Sequence, residues 1–512
     1  MKNIYKYTFA VLAIGFASCE PEFENPVTDE GFYSSGTADF SKYVSVGNSL
    51  TAGYADGALY ITGQQNSYPN IMAQQFEFVG GGDFTQPLMN DNMGGLLLNG
   101  TQLPDFPNRY VLEILPDEDP SPTRLEGIPT TDIANKLTGP FNNMGVPGAK
   151  SYHLVAPGYG NTAGVPMGAA NPYFARFASS ESATVIGDAA AQNATFFSLW
   201  IGNNDILGYA TSGGSGVDQT GNLDPSTYAG NDITDPNVFA SVYSSQVDAL
   251  TAGGAKGVLV NIPEVTSIPY FTTVPTNPIP LDATTAAQLN AQFAAYNTQI
   301  LPGLAGMGVI TPEEAALRMI NFSAGQNFPI MTDDDLTDIT AILQGPPFNL
   351  PAPLATLLGQ LRQVKSDDLI VLPASTILGT IPDPSNPLGI IGVSIPLGDQ
   401  WVLAVSEQAR VTAASTAYNA TIQALAGAKG LAFVDAKATL AALANGGIPY
   451  NGGLLTSEFV TGGAFSLDGV HPTPRGYAYV ANLMIQAIND TYDATIPTVN
   501  IGNYATVTLT NN

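Results

Sequence analysis

The sequence predicts an α/β protein: a parallel sheet with helices on both faces, carrying large insertions. Two observations predict it. Four short runs of β-branched and aromatic residues each stop at Gly, Pro, Asn or Asp, and segments with apolar residues at helical spacing separate or follow them. Strands that alternate with amphipathic helices form a parallel sheet covered on both faces. Such sheets bind ligands at the carboxyl ends of their strands.

The first strand is expected over 42–47 (KYVSVG), opening onto a polar turn at Asn48. The others are 195–201 (TFFSLWI), 257–262 (GVLVNI) and 431–434 (LAFV). A helix starts at Pro236 behind the N-cap Asp235, because the N–H that proline lacks would have no intrahelical partner there. Val238, Phe239, Val242, Tyr243, Val247 and Leu250 carry its apolar face to Gly253-Gly254. A second helix runs from about Ser406 through Val411, Tyr418, Ile422 and Leu425 to Gly427, and a third from Arg475 to Asn489.

The stretches 56–140, 155–190 and 265–400 are rich in Gly, Pro and Asn. They read as insertions into one domain over 41–495, with 496–512 as a C-terminal tail. The last insertion contains apolar text broken by prolines (GPPFNLPAPLATLLGQL, PLGIIGVSIPLG), expected to pack as a subdomain, with a lid over the site as the alternative. AYNTQI at 295–300 and AYNATI at 417–422 read as similar helices, since no fixed period continues.

At the amino terminus, Lys2 and Lys6 flank a polar start and 8–17 is an apolar run, too short to span a bilayer. It reads as a signal peptide over 1–18. The run closes on Phe16-Ala17-Ser18-Cys19, which resembles the lipobox of bacterial lipoproteins, although Phe16 stands where Leu is preferred. Cys19 is the only cysteine, so internal disulfides and C-x-x-C sites are excluded. The resemblance implies lipidation of Cys19, anchoring to a bacterial envelope membrane, the outer membrane being expected, and an acidic tether over 19–40 that includes Glu20, Glu22 and Glu24. Several acyl chains, at roughly 0.8 kcal/mol per buried methylene, would make that attachment stable.

Charge narrows the function further. The 512 residues include 43 acidic and 16 basic side chains, a net charge of -27, and no cluster of Lys and Arg. A surface of that sign repels phosphate backbones, which excludes nucleic-acid binding. No phosphate-cradling glycine loop with G-K-[ST] and no metal motif occurs, so no cofactor is expected. Asp333-Asp334-Asp335 lacks the alternation and glycine of an EF-hand loop. Thr332 or Asp333 is expected instead to cap a helix through Ile342.

Only two histidines exist, so a histidine-dependent mechanism must use His153 or His471. His471 follows Asp468 by three residues in LDGVHPT, on a loop before the last helix. A carboxylate that close can accept the imidazole Nδ1 proton and leave Nε2 free to take one from a hydroxyl. His153 has no carboxylate nearby in sequence and is expected to be a surface or packing residue, with lining of the substrate cleft as the alternative. The hydroxyl is expected at Ser49, in Val46-Gly47-Asn48-Ser49-Leu50, just past the first strand.

Gly-Asn-Ser-Leu at 47–50 resembles the GDSL block of the SGNH hydrolases, and Asp468-Gly469-Val470-His471-Pro472 resembles their closing D-x-x-H block. Asn143-Met144-Gly145-Val146-Pro147-Gly148-Ala149 and Gly202-Asn203-Asn204-Asp205 resemble the two blocks between, in the same order. The resemblance implies a three-layer, flavodoxin-like α/β/α SGNH fold and hydrolysis of carboxylic esters. It makes Ser49 the nucleophile, His471 the base and Asp468 its orienting acid. The oxyanion hole would comprise the Ser49 N–H, the Gly148 N–H and the Asn204 amide. Asn48 departs from the family's Asp, at a position outside the triad. The apolar insertion favours lipid or other acyl esters; a carbohydrate acetylesterase and a catalytically weak lipoprotein gripping glycan or lipid are the rivals. No G-x-S-x-G elbow is present, against the α/β-hydrolase fold.

Overall fold

The computed structural model describes residues 32–116, 120–386 and 388–510. Cys19, the expected signal peptide and Glu20, Glu22 and Glu24 of the expected tether lie outside them. Five parallel strands form the central sheet: β1 (Tyr43–Gly47), β2 (Asn143–Gly145), β3 (Phe196–Trp200), β4 (Lys256–Val260) and β5 (Ala432–Val434). Their order across the sheet is β5-β4-β3-β1-β2. The chain therefore winds outward in both directions from β1, leaving a switch point between β1 and β3 where a crevice opens at the carboxyl edge. The four expected strands form. The fifth, β2, pairs Ser45 with Asn143 and Gly47 with Gly145 at the sheet edge, and is too short and too poor in β-branched residues to show a periodicity.

Eight helices build the layers or border the site: α1 (Ser49–Ala52), α2 (Tyr68–Phe76), α3 (Val185–Ala190), α4 (Asn204–Thr211), α5 (Pro236–Thr251), α6 (Val405–Lys429), α7 (Ala436–Ala444) and α8 (Pro474–Tyr492). Helices α2 and α8 pack together on one face of the sheet, where Phe196 meets Phe76 and Tyr492. On the other face α5 packs against α3 and α6, with Phe239 stacked on Tyr418 at 4.2 Å. Each aromatic or aliphatic side chain buried this way contributes about 1.5–3 kcal/mol. Asp235 caps α5 as the sequence predicts, accepting the Asn237 and Val238 N–H groups at 2.7 and 3.0 Å.

Much of the insertion over 265–400 has its own apolar core, built from Leu289, Phe293, Leu304, Ile330, Leu343, Leu361 and their neighbours, while Val265, Phe271, Ile370 and Val371 pack into the main core. The insertion is a packed subdomain. Three expectations are corrected. Asp333 caps no helix: Thr332 ends a short strand, Ile330–Thr332, and Asp333 pairs with buried Arg362, which also holds Asp368. Charge compensation for that arginine outweighs local capping, and the helix starts only at Thr340. The 56–140 and 155–190 stretches are not all insertion, because α2 and α3 belong to the layers that cover the sheet. The tether does not reach residue 40: the Thr37 N–H donates to the Tyr492 carbonyl at the end of α8, and Phe40 is buried against Phe76. The tail is likewise packed, with Asn482 holding Val499 at both its N–H and carbonyl.

Candidate active site

The carboxyl end of β1 turns directly into α1, so Ser49 stands at the sheet edge. That turn requires glycine on both strands beneath it. A Cβ on Gly47 would lie 2.1 Å from Thr51 Oγ1, and one on Gly145 would lie 2.3 Å from the Ala52 nitrogen. Asn48, fully buried, caps α1 by accepting the Leu50 N–H at 3.0 Å and donates to Asn203 Oδ1 at 3.3 Å. The amide thus makes one bond as acceptor and one as donor, where an aspartate could only accept.

Ser49 Oγ lies 2.9 Å from His471 Nε2, and His471 Nδ1 lies 2.9 Å from Asp468 Oδ2. Serine and histidine are 422 residues apart in sequence. Asp468 is tightly held. Its Oδ1 accepts the N–H groups of Val470 and His471, each at 2.8 Å, and the Ser466 hydroxyl at 3.1 Å; its Oδ2 accepts the Gly57 N–H at 2.8 Å. Burial alone would raise this carboxyl, but His471 and the donors outweigh it and hold it at about 2. It is a carboxylate at any working pH, matched to a ring that carries a proton on Nδ1.

Asn204 opens α4, where one N–H of its amide donates to the Ala149 carbonyl at 2.9 Å and the second is left over. Gly148, immediately before Ala149, has a φ of +80°, a left-handed conformation that glycine adopts without strain. The backbone N–H groups of Ser49 and Gly148 have no acceptor among the described residues. The loop carrying Gly148 is fixed on both sides: Asn171 donates to the Pro147 carbonyl at 2.8 Å, and Asp205 accepts from the Ser151 N–H and hydroxyl at 2.8 and 2.7 Å. Burial raises the Asp205 carboxyl.

His153 is a packing residue. Its ring stacks on Tyr159 at 4.6 Å, its Nδ1 accepts the Lys150 N–H, and burial followed by the Lys150 charge lowers it to about 4. It stays neutral and lines no part of the cleft beside Ser49. Several neighbours carry no sequence signal of their own. Asp56 holds the loop of Asp468 by accepting the Leu467 N–H at 3.1 Å, and its own N–H donates to Ser466 Oγ at 2.9 Å. The only hint is the Asp56-Gly57 pair, an ordinary turn signal. Tyr54 packs its ring 4.7 Å from that of His471.

Beside Ser49 and His471 opens an apolar cleft of about 110 Å³. Among the described residues one group of three carboxylates, Asp333, Asp334 and Asp399, comes within 4.8 Å. Arg362 pairs with Asp333, and burial, with Asp334, Asp333 and Asp335 nearby, raises Asp399 to about 7. None of the three lines the cleft. The chain matches no family model, no curated protein and no solved structure.

Proposed function

We propose that this chain is a serine hydrolase of carboxylic esters, of the SGNH kind, with a flavodoxin-like sheet. The observation that carries the reading is the linear array Ser49 Oγ, His471, Asp468, with 2.9 Å at each step. The strand order and the Asn204 and Gly148 loops beside it support the same reading.

In the reaction His471 Nε2 takes the Ser49 proton as Oγ attacks the ester carbonyl. Negative charge then develops on the carbonyl oxygen, where the Ser49 and Gly148 N–H groups and the spare Asn204 N–H are the available donors. Asp468 keeps Nδ1 protonated and stabilises the imidazolium. The tetrahedral species collapses, the ester's C–O bond breaks, and His471 returns its proton to the departing alcohol. Water, deprotonated by His471, then cleaves the acyl-serine, releasing the acid and restoring Ser49. A Cys19-linked lipid would hold this chemistry at an envelope membrane; no described helix is long and apolar enough to cross one.

The test is labelling by a fluorophosphonate probe together with turnover of p-nitrophenyl butyrate. Labelling and turnover that both vanish in Ser49→Ala are expected. A native protein that neither labels nor turns over any ester overturns the proposal.

A further inference from the structure

The reading of Ser49 as an ester nucleophile leaves open what kind of ester it takes, and the cleft beside it bears on that question. Two helices wall it. Ala436, Leu440 and Leu443 on α7, and Gly476, Val480 and Leu483 on α8, repeat at i, i+4 and i+7, so each helix turns one continuous stripe toward the gap between them. The carboxyl ends of β4 and β5 contribute Val260 and Val434, and no Asp, Glu, Lys or Arg is among the residues that line the cleft.

From Gly476 to Leu483 the stripe on α8 spans seven residues, about 10 Å at 1.5 Å each. Ser49 and His471 line the same cleft, so a molecule whose ester lies against Ser49 has its next atoms beside that apolar lining. Leu440, Leu443 and Val480 offer a glycan's hydroxyls no hydrogen-bond partner, and the polar side chains that the two helices add are Thr439 and Tyr479. A hydrocarbon chain loses nothing there and leaves water.

From these observations, and resting on the esterase reading, we infer that the cleft between α7 and α8 binds the hydrocarbon chain of an ester of medium or greater chain length. The substrates are apolar acyl or alkyl esters, and acetylated glycans are poor ones. Lengthening the chain by one methylene raises kcat/KM about threefold to fourfold while the cleft is filling, the equivalent of about 0.8 kcal/mol per buried CH₂.

Two ester series test this on the protein lacking residues 1–19. One lengthens the acyl group from p-nitrophenyl acetate through butyrate and octanoate to laurate; the other lengthens the alcohol of an acetate ester. A steep rise in one series supports the inference and says which side of the ester occupies the cleft. Rates flat in both, in a protein that turns over acetate and labels with fluorophosphonate, overturn the inference and leave the esterase reading standing. Leu483→Trp and Ala436→Phe, which narrow the cleft from opposite walls, are each expected to lower the octanoate-to-acetate ratio of the preferred series at least tenfold. An unchanged ratio in both folded variants overturns it. A third arm is independent of turnover. Trp200 lines the cleft, so decanoate added to Ser49→Ala protein should change its fluorescence saturably, and hexose at the same concentrations should not; no response to decanoate counts against the inference.

Discussion

Gly57 donates its backbone N–H to Asp468 Oδ2 at 2.8 Å, the same oxygen that faces His471 Nδ1. The opening of the first insertion is thus part of the support for the triad, and it makes Asp468 sensitive to the loss of one charge. In Asp468→Asn the amide oxygen is held on the side of Val470, His471 and Ser466, where three donors already point. The amide N–H₂ then faces His471 Nδ1, which must become an acceptor, and the ring proton moves to Nε2. Such a ring cannot take the Ser49 proton. A fall in kcat of about a thousandfold to ten-thousandfold is expected with KM little changed, measured with p-nitrophenyl butyrate. Retention of more than a tenth of native kcat would contradict the assigned role.

Acidification should stop turnover before it unfolds the protein. A general base must be unprotonated to take the serine proton, so kcat/KM is expected to fall on acidification. Asp468, held at about 2, stays ionised throughout that fall. Its depressed carboxyl contributes stability that is full above the unfolded value near 3.9 and is lost as pH drops through about 2. The acid limb of log kcat/KM is therefore expected to have unit slope, with circular dichroism unchanged across it. A slope of two would show a second group titrating with the histidine.

Most of the site was legible because its residues sit in short blocks whose spacing survives in one dimension. Asp468 and His471 are three apart, and Ser49 follows a strand that any periodicity reading finds. What was not legible depends on the third dimension. Strand β2 is three residues with no β-branched side chain, and only its pairing to β1 makes it a strand. The Gly57 donor and the clasp of Asp56 on Leu467 span 411 residues. Asp333 looked like a helix cap because capping is local, whereas its partner Arg362 lies 29 residues on.

Asn204 tests the oxyanion donors separately from the triad. With one amide N–H on the Ala149 carbonyl, its other is expected to matter only when charge develops on the substrate oxygen. Asn204→Ala should lower kcat about a hundredfold to a thousandfold, roughly 3–4 kcal/mol, with a much smaller change in KM. Fluorophosphonate labelling should slow but persist, because Ser49 and His471 remain. A variant that fails to label at all would show that Asn204 holds the nucleophile in place rather than the transition state.

The last expectation concerns stability and lies in the first turn of α6. Glu407 is 1% exposed; its Oε2 accepts the Ala404 N–H at 2.6 Å, while Oε1 has no hydrogen-bond partner among the described residues. Burial, then the nearby Asp399, Asp335 and Asp333, raise this carboxyl to about 9. The folded protein therefore keeps a proton that the unfolded chain releases above about 4.3. Between those values the folded state binds more protons, so stability falls as pH rises, and it levels off above about 9. Glu407→Gln keeps an oxygen for the Ala404 N–H and cannot ionise. Its Tm should fall less steeply from pH 5 to 9 than that of the native protein, and at pH 9 should exceed it by about 2 °C or more. Parallel Tm profiles would mean that Glu407 is ionised in the fold at neutral pH.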